Sequence, residues 1–160
     1  MKRIKGFRLF ESAGVDLEKV CALYEDVRSI GYLLEEEGIP VEYRLRLVSI
    51  GRQKDVVSVR INNSDDIRSA LAIPVWGISV KLESFVICVK NPERRNPPYA
   101  LKMRNNNGSV QEAEFREEFE RYYSMLTEHL DYVDPSFIDR KVMPPLPLTF
   151  EVRVAAAFFM

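Results

Sequence analysis

Val41-Glu42-Tyr43-Arg44-Leu45-Arg46-Leu47-Val48-Ser49-Ile50 opens on strict alternation. Val41, Tyr43, Leu45 and Leu47 fall on one side, and Glu42, Arg44 and Arg46 on the other. A period of two marks a strand with one face on a core and the other polar. Residues 56–61 repeat the pattern, with Val57, Val59 and Ile61 opposing Ser58 and Arg60. The five residues from Gly51 to Asp55 suit the loop of a hairpin. The fold is thus anchored on an antiparallel pair whose outer face carries arginine.

Upstream, residues 16–37 place Leu17, Val20, Tyr24, Val27, Gly31 and Leu34 at spacings of three and four, and Cys21 widens the stripe. That is one apolar face of a helix. Asp16 supplies an N-cap, and Gly38 followed by Pro40 supplies the stop. Downstream, Ser64 is expected to cap a short helix through Leu71. Pro74 and Gly77 break the chain before a long strand over 78–90. Its apolar residues fall on both faces, so it is expected at the centre of the sheet.

Beyond a polar loop over Asn91–Pro98, Tyr99, Leu101 and Met103 alternate with Lys102 and Arg104, predicting a strand over 99–104. Asn105-Asn106-Asn107-Gly108 is a turn, and Ser109 with Glu112 forms a capping box. The second long helix carries the stripe Phe115, Phe119, Tyr122, Leu126, Leu130 and Val133, and ends at Asp134-Pro135. Glu112–Arg116 and Glu117–Arg121 are expected ion pairs along it. Pro144, Pro145 and Pro147 carry an extended link, with only a weak likeness to a proline-rich ligand, into a last strand over 148–154. Residues 2–10 are the weakest candidate strand.

The order reads β-α-β-β-α-β-β-α-β. Its first six elements match a ferredoxin-like unit, and a β-α-β extension follows. The expected fold class is α+β in one domain over 1–160, with a single antiparallel or mixed sheet and both long helices on one face.

Charge is unevenly spread. Residues 16–37 hold seven acids against Lys19 and Arg28, and 112–131 hold seven against Arg116 and Arg121, a net of −5 each. Residues 42–60 sum to +3 (five basic, two acidic) and 90–104 to +4 (five basic, one acidic). The overall −1 hides this division. The alternation puts Arg44, Arg46, Arg60, Lys102, Arg104 and Arg153 on the polar sides of their strands, with Arg94 and Arg95 in a neighbouring loop. If those sides coincide, they make a basic face opposed only by Glu42 and Glu151. Such a face attracts an acidic protein surface, including a second copy's helices, or a phosphate backbone. The rings that would stack nucleobases, Tyr43, Tyr99 and Phe150, fall on the apolar side, which favours the protein partner. Plain solvation of these side chains is the alternative to both.

Signals for catalysis are sparse. His129 is the sole histidine and sits at the edge of a helix stripe, where packing is the commoner role. Asp65 and Asp66 open the short helix, where acids favour its dipole, and Glu83 lies on the long strand. A metal-dependent nuclease or hydrolase would need such carboxylates to converge on a cation. No G-x-S-x-G or phosphate-binding glycine loop occurs, so no cofactor is predicted. Cys21 and Cys88 read as reduced core residues, and two cysteines with one histidine would be fully consumed by a single zinc site.

The longest apolar run, Val154–Met160, has seven residues, far below the ~20 needed to span a bilayer. The opening Met1-Lys2-Arg3 lacks the apolar stretch of a secretory signal, predicting a cytoplasmic chain. In that setting Asn62-Asn63-Ser64 and Asn107-Gly108-Ser109 are turns and not glycosylation sites. Many arginines with one histidine lean weakly towards a heat-adapted source. Phe158 and Phe159 near the terminus are expected to be buried, in the core or against a second copy through the C-terminal strand or a sheet edge.

Overall fold

A computed structural model describes residues 14–49, 55–72, 80–90, 108–143 and 149–160, and the side chains of 108–114 and Met143 are outside that description. The elements are α1 (Leu17–Glu36), β1 (Val41–Ser49), β2 (Val56–Ile61), α2 (Ser64–Leu71), β3 (Val80–Lys90), α3 (Gly108–His129), β4 (Ile138–Met143) and β5 (Thr149–Ala155). Short 3-10 turns cover Pro135–Phe137 and Ala156–Phe159. The fold is α+β, built on one antiparallel sheet of five strands in the order β2-β1-β3-β5-β4.

α1 begins and ends as its sequence dictates. The Asp16 carboxylate accepts from the Glu18 N–H at 3.0 Å. At the other end Gly38 takes φ +86°, open to glycine without a Cβ penalty. Gly38 N–H then reaches the Glu35 carbonyl and Ile39 N–H the Leu34 carbonyl, and the buried Ile39 and Leu34 close the cap. α2 starts one residue earlier than its serine suggests. Asn63, not Ser64, is the N-cap and accepts from Asp66 N–H at 3.0 Å.

Register fixes which side chains share a face. Tyr43, Ile87 and Val152 are consecutive cross-strand partners, as are Leu45, Phe85 and Val154. On that face Tyr24 of α1 meets the Tyr43 ring edge-on at 5.5 Å, and Phe119 of α3 stacks on Phe150 at 4.1 Å. The stripe Phe115, Phe119, Tyr122 and Leu126 of α3 is buried, as the periodicity predicts, but the helix ends at His129 and not at Asp134-Pro135, so the equally buried Leu130 and Val133 belong to the turn that follows. β3 is the middle strand of the five.

The strand order departs from a ferredoxin-like unit. β2 and β3 are parallel to each other, joined through α2, and split by one strand between them. That strand is β1, hydrogen-bonded on both sides, and it occupies the place a ferredoxin-like order gives to its first strand. The expected strands over 2–10 and 99–104, and the proline link over 144–148, lie outside the described residues.

β4 is a strand over residues to which the sequence reading assigned no element. Its core-facing positions are Ile138, Arg140 and Val142, opposite Val154, Val152 and Phe150. An arginine in the middle slot hides the alternation. It is tolerated there because Glu120 of α3 pairs with it at 2.6 Å and its guanidinium lies 4.8 Å from the Tyr123 ring centre. Arg121 likewise departs from the expected pairing, contacting Glu118 and Glu37 instead of Glu117.

Because β4 takes the edge, β5 is paired on both sides and cannot add a second copy through its own backbone. Among the described residues the edges of the sheet are β2 and β4. Phe159 is fully buried in the core, and its carbonyl accepts from Asp16 N–H at 2.6 Å. The C-terminus is thereby tied to the start of α1.

Candidate functional site

The face of the sheet away from Tyr43 and Phe85 gathers the charges. Arg60, Arg44, Val86, Arg153 and Asp139 form one row across all five strands. Glu42, Cys88, Glu151 and Lys141 form the next, and Ser58, Arg46, Ser84 and Ala155 flank the first on its other side. The strands therefore bring Arg44, Arg46, Arg60 and Arg153 to a common face. Arg94, Arg95, Lys102 and Arg104 lie outside the described residues.

These arginines are not bare. Glu42 is buried, and its carboxylate meets Arg44 Nε at 2.9 Å, Arg60 Nε at 3.3 Å and Lys90 Nζ at 3.3 Å. Arg153 Nε contacts Glu151 at 2.6 Å. Arg46 Nε lies 3.0 Å from Glu83, at a β-bulge between β1 and β3, but without the angle of a hydrogen bond. Burial alone would raise the Glu42 pKa; the Arg44 hydrogen bond and the charges of Lys90 and Arg44 outweigh it, so the net shift is downward.

Among the described residues seven cations (Arg44, Arg46, Arg60, Lys81, Lys90, Lys141, Arg153) share this face with four carboxylates (Glu42, Glu83, Asp139, Glu151), a net of +3. The internal carboxylates are more numerous than the alternation alone implied. They also hold each arginine by its Nε. A guanidinium has five donors, so a contact at Nε leaves its terminal nitrogens to point elsewhere. Arg44 uses one of them on Ser58 Oγ at 3.5 Å. Exposure then divides the set. The Arg60 side chain is 61% exposed and those of Arg44 and Arg46 about a third, against 20% for Arg153. The accessible cations cluster on β1 and β2.

The catalytic candidates each have a local structural task. His129 Nδ1 contacts the Met125 carbonyl one turn back at 2.9 Å. Asp66 accepts from Asn62 N–H at 2.8 Å and so closes the turn into α2. Glu83 is exposed beside Arg46 rather than buried. Among the described residues no three of His, Cys, Asp and Glu are grouped to hold a metal ion, and no helix is long and apolar enough to cross a membrane.

Both thiols are free and buried. Burial, with the charges of Glu151 and Glu42, pushes the Cys88 thiol up to about 11, and burial also raises Cys21. The thiolate is the reactive form. Neither cysteine should titrate with a disulfide reagent at neutral pH until the protein is unfolded. Rapid native-state labelling of Cys88 would show that its thiol is not held beneath the charged side chains of this face.

A cleft of about 180 Å³ sits at the end of β2, against α1. Arg28 Nη1 donates to Tyr24 Oη at 3.1 Å and to the Asn62 carbonyl at 3.2 Å, and its guanidinium lies 5.4 Å from the Tyr32 ring centre. Arg60 and Glu42 close the other side, with Glu35 on the helix wall. Arg28 gave no sequence signal beyond being one of two cations in an acidic helix; only the packing of α1 beside β2 brings it to Arg60. No protein-family model, curated protein or solved structure matches this chain.

Proposed function

We propose that this chain is a small interaction module that grips an acidic protein surface through the arginines of β1 and β2. The observation that carries the reading is the shared face of Arg44, Arg46 and Arg60, each with its Nε against a carboxylate of its own sheet. A side chain already fixed by such a contact loses less rotamer entropy on binding than a free one. Its planar fork then meets a partner's carboxylate with two parallel hydrogen bonds. Tyr24 and Phe119 reach the same opposite face from α1 and α3, which supports both long helices lying on one side, away from the arginines.

A protein fits this face better than a nucleic acid. Between the arginines lie Val86, Ser84 and Cys88, with no ring for base stacking among the described residues. Glu42, Glu83 and Glu151 divide the cations into separate spots, a pattern that discrete carboxylates can match and an evenly charged phosphate chain cannot.

Fluorescence anisotropy with labelled polyglutamate, single-stranded RNA and duplex DNA tests this, each at roughly 50 and 200 mM salt, where several phosphate contacts differ by orders of magnitude in affinity. Polyglutamate is expected to bind at the lower salt, and the double change Arg46→Ala with Arg60→Ala to weaken it while the chain stays folded, with a melting temperature lowered by only a few degrees. RNA or DNA binding tighter than polyglutamate, with a steep salt slope, would replace this reading with nucleic-acid binding. No binding to any probe at low salt would sink both.

A further inference from the structure

The edge of the sheet next to these arginines is unusually bare. Among the described residues β2 pairs only with β1. Ser49 N–H donates to the Asp55 carbonyl, which makes that opposed pair a hydrogen-bonded one. Hydrogen-bonded and non-bonded pairs alternate along an antiparallel ladder. Val57, Val59 and Ile61 therefore turn their backbone groups to β1, while Val56, Ser58 and Arg60 turn theirs outward. Proteins usually blunt such an edge with lysine, proline or a bulge. Here Val56 and Val57 are about half exposed, and Arg60 is the one charge within the strand. The outward donors and acceptors lead directly into the cleft of Arg28, Tyr32 and Arg60.

We infer that an extended segment of the partner adds to the free edge of β2 as a further strand and sets a single carboxylate in the Arg28–Arg60 cleft. This rests on the acidic-partner reading and specifies how that partner is held. Strand addition draws affinity from main-chain hydrogen bonds and selectivity from a side-chain pocket at a fixed register. The exposed valines favour β-branched neighbours in the added strand. Charge in the cleft sets the class of side chain. Glu42 is already matched by Arg44, Arg60 and Lys90, so Arg28 and the outer edge of Arg60 attract an anion. Glu35 on the same wall works against a second negative charge. One glutamate or aspartate between neutral β-branched residues satisfies both conditions.

The test uses a labelled threonine-valine peptide with one central glutamate, its glutamine twin, and a twin N-methylated at alternate residues so that one backbone edge cannot donate. The whole chain should bind the first and lose about tenfold or more with each twin, the scale of a few main-chain hydrogen bonds or one paired charge. Ser58→Pro removes an outward N–H at a position where an edge strand accepts proline, and should cause a like loss at unchanged helicity. If polyglutamate binds but N-methylation and Ser58→Pro leave peptide affinity unchanged, the edge inference fails while the acidic-partner reading stands. If neither polyglutamate nor the peptide binds, both fail. A chain that sediments as a dimer, and as a monomer once Ser58 is proline, would overturn the inference by making a second copy the occupant. The N-methylated arm reads the same question with no change to the protein.

Discussion

Among the glycines Gly14, Gly31 and Gly38, Gly31→Ala is expected to be the most damaging change. A Cβ at Gly31 would sit 2.1 Å from the Tyr43 hydroxyl, inside any permitted contact. The hydroxyl ends a rigid ring, itself held edge-on against Tyr24 and buried in the core. It has no slack to yield. Either the ring leaves its place or α1 lifts from β1, and overpacking of this kind costs about 1–3 kcal/mol, sometimes more. For a chain of this size that lowers the melting temperature by roughly 2–12 °C. The physical cause is testable by a second substitution. Tyr43→Phe removes the clashing oxygen, and the next atom of that ring stands 3.4 Å from the added methyl, an ordinary contact. Tyr43→Phe alone gives up a long hydrogen bond to the Val27 carbonyl, at 3.4 Å, and its interaction with the buried Tyr122 hydroxyl, and should cost about 1 kcal/mol. The double variant should therefore recover the wild-type melting temperature, since alanine is favoured over glycine inside a helix by about 1 kcal/mol. Strict additivity of the two changes in thermal melts would show that Tyr43 is not what Gly31 accommodates.

The same contact illustrates what the sequence conveyed. Gly31 falls on the apolar stripe of α1, so its burial was legible; the reason it must be glycine was not. That reason lies in a tyrosine from the next element. The alternation in 41–49 and 56–61 placed Arg44, Arg46 and Arg60 on one side of their strands correctly, because side-chain direction in a strand is a local property. Whether Arg153 joins them depends on strand order, and β5 reaches the same face only through β3. Two ion pairs were in principle readable: Glu42–Arg44 and Glu151–Arg153 are two residues apart on a strand and must point the same way. Asp139–Lys141 is a third such pair, on β4, while those from Arg60 and Lys90 to Glu42 and from Arg46 to Glu83 cross between strands and need the register. β4 escaped notice because Arg140 occupies a core-side slot, and the acid and ring that make this possible are on α3. Without β4 the sheet would end at β5; with it, the edges among the described residues are β2 and β4.

Glu42 carries the second large effect. Its carboxylate is buried, and three cations converge on it from β1, β2 and β3. Glu42→Gln keeps the shape but leaves Arg44, Arg60 and Lys90 facing one another with nothing between them. Removing one member of a fully buried pair costs about 3–5 kcal/mol. These cations are one-third to two-thirds exposed, so water screens their repulsion and a cost of about 1–3 kcal/mol is expected. The pH dependence separates this from a packing defect. In the folded protein the Glu42 carboxyl is held below its ordinary value, so the folded state binds its proton less readily than the unfolded chain does. Its stabilisation is present in full above the ordinary carboxylate range and is lost as pH falls through the lowered folded value. Wild type should therefore lose stability between neutral pH and about pH 3, and Glu42→Gln should lose less across the same window, so that their urea midpoints converge on acidification. Parallel curves would mean the three cations do not draw on Glu42. Convergence would identify this carboxylate as the post to which the arginine face is tied, and Glu42→Gln should then weaken polyglutamate binding although it raises the net positive charge. A face that needed only charge would bind more tightly in that variant; one that needs its guanidinium groups held in place should not.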